Sequence, residues 1–99
     1  MTEICVHLEA GFKQDAVQIE WPDKVYAYSD VNTDYSIGLA RTIHLTPQNE
    51  TAELKVLILN KELSASVEIA PHRDYAISVN ISPEKELTIT ISNEKKTFF

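Results

Sequence analysis

A chain of 99 residues, 43% hydrophobic and 24% charged, can bury one core but not two, so a single domain over residues 1–99 is expected. Nine Lys and Arg against fifteen Asp and Glu leave a net charge of −6. The basic residues are scattered, which argues against nucleic acid or an anionic membrane surface as a partner. Cys5 is the single cysteine, which excludes an intramolecular disulfide.

The N-terminus has neither a basic n-region nor a long apolar h-region. The longest aliphatic run, residues 56–59, is far short of a membrane span. The expectation is a cytoplasmic protein without membrane insertion. A secreted setting stays open if a leader has been removed.

In chain order, period-2 alternation dominates. Ile4, Val6 and Leu8 alternate with Cys5, His7 and Glu9. Val17, Ile19 and Trp21 alternate with Gln18 and Glu20 until Pro22-Asp23 stops the strand, because proline cannot donate to a ladder. A strand resumes over residues 24–29, and the polar run 30–36 is expected to be a loop. Leu39, Ile43 and Leu45 share one face, with Ala40, Thr42 and His44 on the other, ending at Pro47. The segment 52–60 is apolar on both faces near its end, which predicts a central strand. Asn60-Lys61-Glu62 is a tight connection.

Leu63, Ala65, Val67 and Ile69 predict the next strand, then Tyr75, Ile77, Val79 and Ile81, then Leu87, Ile89 and Ile91. Turns near Pro71 and Pro83 separate these three strands. About eight short strands at turn spacings near ten residues predict an all-β fold. The expected form is an antiparallel β-sandwich of seven to eight strands, immunoglobulin-like or transthyretin-like. The outward positions of the last three strands are mostly Ser, Thr and Asn, which suits a solvated face or a weakly polar contact surface.

The stretch Asp30, Asn32, Asp34 and Ser36 imitates the start of a calcium loop. An EF-hand loop needs glycine at position 6 and a bidentate Glu at position 12. Here those positions are Tyr35 and Arg41. Asp and Asn also favour turns through bonds to local backbone, so an Asx-rich turn is the alternative and no metal is expected. Cys5 and His7 lie two apart on one strand face, but zinc needs three or four ligands, and nothing in the sequence brings His44 or His72 to them. Cys5, His44 and an aspartate can be written as a nucleophile system. No signature supports it, and Gly11 and Gly38 are too few for a phosphate or oxyanion loop. No catalytic activity and no cofactor are expected.

Aromatic residues are the better functional candidates. Tyr26 and Tyr28 share a strand face, about 6.6 Å apart along it. Trp21 lies across the Pro22 turn and Tyr35 ends the next loop. Such rings suit interfaces and can stack on sugars; the alternative is that the tyrosines face the core while Val25 and Ala27 face out. Phe98 and Phe99 close the chain, either folded back on the sandwich or docked on a partner. The Asn49-Glu50-Thr51 and Asn80-Ile81-Ser82 sequons are read as chance.

Three stretches carry a resemblance: Gly11-Phe12-x-x-Asp15, Thr33-x-x-x-x-Gly38-Leu39-Ala40, and Ser92-x-Glu94 before terminal aromatics. On these the chain resembles small stand-alone bacterial proteins of similar length that have no assigned activity. Pro22-Asp23 departs from the glycine turn expected there. The resemblance implies a bacterial β-sandwich without catalytic residues, and makes Gly38 a backbone requirement, such as a bulge.

The leading expectation is a non-catalytic binding or interaction module. Its partner would be a protein or a second copy, reached through an exposed edge or the aromatic end. The second expectation is carbohydrate binding through Trp21, Tyr26 and Tyr28. The third is a small hydrolytic or metal-dependent enzyme.

Overall fold

A computed structural model describes residues 4–22, 24–71 and 74–92. Eight strands form in this order: β1 (Ile4–Leu8), β2 (Asp15–Trp21), β3 (Lys24–Val31), β4 (Arg41–Leu45), β5 (Ala52–Ile58), β6 (Leu63–Ile69), β7 (Tyr75–Ile81) and β8 (Leu87–Ser92), with one 3-10 turn, Leu59–Lys61, between β5 and β6. They make two four-stranded sheets, ordered β4-β1-β7-β8 and β3-β2-β5-β6. The all-β sandwich expected from the alternation is present.

Three boundaries differ from the sequence reading. β2 begins at Asp15, two residues before the first aliphatic. β3 runs through Asp30 to Val31, so the loop starts only at Asn32. β4 starts at Arg41, because Leu39 pairs with Asp34 in a local bridge instead.

The pairing is not antiparallel throughout. β1 and β7 run parallel in register Ile4↔Tyr75 to Leu8↔Val79. Alternation reports which face a residue takes but not the direction of its neighbour, so the parallel pair leaves no local mark.

The core lies between the sheets. Val6, Leu8, Ile77 and Val79 from one meet Val17, Ile19, Leu54, Val56 and Ile58 from the other, all fully buried. The predicted central strand β5 lies between β2 and β6.

The chain path sorts the loops into two ends. The β1–β2 loop, the β3–β4 loop, the 3-10 turn and the β7–β8 turn meet at one end, called the loop end below. The β2–β3, β4–β5 and β6–β7 connections meet at the other. No helix among the described residues is long and apolar enough to cross a membrane.

Candidate functional site

The predicted aromatic residues do not gather on one surface. Trp21 is in the core, with 5% of its surface exposed, and its indole Nε1 donates to Thr46 O at 2.7 Å. That bond satisfies the one polar atom a buried indole carries. Tyr26 and Tyr28 lie opposite Ile19 and Val17, so both rings face inward and pack half-buried against the core, while Val25 and Ala27 face out. Arg41 places its guanidinium 4.0 Å from the ring centre of Tyr28 and closes the β3–β4 side of the sandwich. Tyr35 is 73% exposed, at the end opposite Trp21. Phe98, Phe99, His72 and Asp23 lie outside the described residues.

The turn that carries Tyr35 is tightly bonded. Asp34 O accepts from Ile37 N at 3.2 Å and from Gly38 N at 2.8 Å, and Asp34 N donates to Leu39 O at 3.0 Å. Asp34 Oδ1 accepts from Ser36 N at 3.0 Å and from Ser36 Oγ at 2.6 Å. The Ser36 hydroxyl and N–H hold the Asp34 carboxyl below its ordinary pKa. Asn32 is used in the same way: its Oδ1 accepts from Gln14 N and its Nδ2 donates to Asp30 O. Among these calcium-candidate residues, Asn32, Asp34 and Ser36 bond the chain through their own side chains. Gly38 has φ +71 with open space around it, so it serves a turn rather than a bulge.

The rest of the loop end is a bonded scaffold under that turn. Glu9 N donates to Val79 O and Ile81 N to Ala10 O, which extends the parallel β1–β7 ladder past Leu8. Gly11, at φ +91, sits so close that a Cβ there would fall 2.0 Å from Ile81 O. Thr33 joins two loops: its hydroxyl donates to Glu9 O at 2.6 Å and accepts from Phe12 N at 3.0 Å.

Asp15 has no exposed surface. Its Oδ1 accepts from Asn60 Nδ2 at 2.8 Å, and its Oδ2 from Lys61 Nζ at 2.8 Å and Lys13 N at 2.9 Å. Burial alone raises its pKa, but the bonds from Lys61, Asn60 and Lys13 outweigh it and hold the carboxyl below the ordinary range. Sequence reasoning missed this residue. The available signal was its phase, since Asp15 falls on the same face as Val17, Ile19 and Trp21.

Beside Tyr35 lies a groove of about 460 Å³, lined by Ala10, Gly11, Ile81 and Pro83 together with Lys61 and Lys85. Ile37 and Leu59, 38% and 51% exposed, are carried on the same end of the sandwich. The groove is mostly apolar with a few polar groups, as docking sites tend to be.

Across β1 and β4, the structure brings Cys5 Sγ to 3.3 Å from His44 Nδ1. Their register pairing explains the contact over 39 positions of chain. His7 Nδ1 lies 3.1 Å from Thr42 Oγ1 on the same outer sheet face. No group of three or more His, Cys, Asp or Glu among the described residues is arranged to hold a metal ion.

Compared with known proteins, the chain matches no family model, no curated protein and no solved structure.

Proposed function

We propose that the protein is a non-catalytic protein-interaction module that docks a partner protein at its loop end, with Tyr35 as the anchor. The observation that carries this is a 73%-exposed tyrosine on a turn whose backbone is already ordered by Asp34, Ser36, Gly38 and Leu39. Tyrosine brings large contact area at the cost of few rotatable bonds, and a turn ordered beforehand loses little entropy on binding. The adjoining apolar groove and the exposed Ile37 and Leu59 supply neighbouring contact area. The non-catalytic reading is supported by how two acids at this end are used: Asp15 and Asp34 are both committed to internal hydrogen bonds.

The strand order supports a transthyretin-like rather than an immunoglobulin-like sandwich. In the immunoglobulin arrangement the first two strands share a sheet. Here β1 and β2 lie in different sheets.

The reading is tested by affinity capture with the wild-type chain and a Tyr35→Ala variant as baits. Tyr35 is largely solvent-exposed, so the substitution leaves the fold intact. Proteins retained by the first and lost by the second are the expected result; an unchanged set argues against the loop end.

A further inference from the structure

Among the described residues the two sheets leave four edge strands, and they are unequally protected. Exposed edges invite pairing with another chain, and proteins blunt them with charge, proline, bulges or short length. On β3, Lys24 and Asp30 are exposed, the register to β2 shifts between Asp15 and Val17, and Arg41 covers Tyr28. β4 is five residues long and carries Arg41. β6 carries Glu68. β8, Leu87-Thr88-Ile89-Thr90-Ile91-Ser92, has no charge and no proline, and it pairs with β7 from Leu87 to Ser92 without a register shift.

The backbone phase of β8 also favours pairing. Ser82 N donates to Glu86 O at 2.9 Å, which turns Glu86 toward β7. Antiparallel ladders alternate, so Thr88 and Thr90 also bond toward β7, opposite Asn80 and Ser78. Leu87, Ile89 and Ile91 therefore direct their N–H and C=O groups at the open edge. Leu87 and Ile89 are half-buried against the core and Ile91 is 39% exposed, so apolar surface continues to this rim.

We infer that β8 pairs antiparallel with β8 of a second copy about a two-fold axis, joining the β4-β1-β7-β8 sheets of two molecules into one. Ile89 lies opposite Ile89 of the second copy, and Leu87 opposite Ile91 in both directions. This register matches the outward-directed backbone groups and keeps all core-facing side chains on one face. A two-fold contact must be self-complementary, and an uncharged strand meets that condition in a chain of net charge −6. The contact uses a different surface from the Tyr35 end, so either reading can fail without the other. One strand pair makes a small interface, so a weak, concentration-dependent dimer is expected.

The test is sedimentation equilibrium of the full chain from on the order of 1 µM to 1 mM. Wild type is expected to dimerise, and more tightly as salt screens the like charges. Thr88→Lys/Thr90→Lys sets lysine opposite lysine on the exposed face and raises the dissociation constant about tenfold or more. Thr88→Glu/Thr90→Glu does the same, and mixing the two variants restores dimerisation as a heterodimer.

Circular dichroism checks each fold. If the lysine variant does not fold, Ile91→Pro takes its place, because it removes an N–H directed at the open edge. A wild-type chain that stays monomeric throughout overturns the inference. So does a dimer that none of these variants weakens.

Discussion

Lys61 holds its ammonium 2.8 Å from the carboxylate of Asp15, a side chain with no exposed surface. The pair ties the β5–β6 connection to the start of β2, and with Asn60 and Lys13 it leaves no oxygen of Asp15 unused. Replacing Asp15 by Ala strands three donors and is expected to cost about 2–4 kcal/mol in urea unfolding.

The same carboxyl sets an acid dependence. Its folded pKa lies below the ordinary 3.8, so its stabilisation is complete above the unfolded value and is lost as pH falls through the lowered folded value. The gap in urea midpoint between wild type and Asp15→Asn should stay constant above about pH 5 and narrow below about pH 4. A gap that widens in acid contradicts the assignment.

Gly11 and Gly38 both have positive φ but face different surroundings. A Cβ at Gly11 meets Ile81 O at 2.0 Å, while one at Gly38 meets open space. Gly38→Ala is expected to cost about 1 kcal/mol for backbone strain alone. Gly11→Ala should cost at least about 3 kcal/mol, because the β1–β7 ladder must also move. Equal losses by thermal unfolding would mean that the close approach is not there.

Arg41 over Tyr28 joins the edge strands of the two sheets. A double-mutant cycle with Arg41→Met and Tyr28→Leu should give a coupling of about 0.5–1 kcal/mol, in the range of exposed cation–π pairs. Tyr28→Phe keeps the ring face and should leave the coupling nearly unchanged.

The residues that imitate a calcium loop should not respond to the ion. Asp34 and Asn32 are committed to Ser36 and to Gln14. Calorimetric titration with calcium to about 1 mM is expected to give no binding heat. A saturable exotherm lost in Asp34→Ala would contradict this.

The strands were legible because each buries one face, and β2 shows it plainly: Val17, Ile19 and Trp21 are buried, while Gln18 and Glu20 are half-exposed. The alternation placed Tyr26 and Tyr28 on one face of β3 but left open which face that was; their pairing opposite Ile19 and Val17 turns it inward. Properties that depend on chain path were not legible. The parallel partner of β1 is 71 positions away in sequence, and the Cys5–His44 contact follows from which strands are neighbours. Trp21 offered its polar edge as a reason to stay at the surface, but a backbone carbonyl at Thr46 satisfies it inside.

Asp15 was hidden because a charge at an inward position is unfavourable unless its partners are known, and those partners, Asn60 and Lys61, lie 45 and 46 positions away. The loop end shows the division most clearly. The turn residues around Tyr35 were readable as an Asx turn, whereas the scaffold beneath it, through Gly11, Thr33 and Asp15, needed the fold.

In the proposed function, the exposed ring of Tyr35 anchors a partner protein. The direct measurement is quantitative affinity capture with three matched baits: wild type, Tyr35→Ala and Val25→Ala. Val25 is 63% exposed on β3 and serves as the control for losing exposed apolar surface elsewhere. The expected result is a partner retained by wild type and Val25→Ala and reduced at least about tenfold by Tyr35→Ala, since an anchor of this kind is typically worth about 2 kcal/mol. Equal retention by all three baits would contradict an anchoring role for Tyr35.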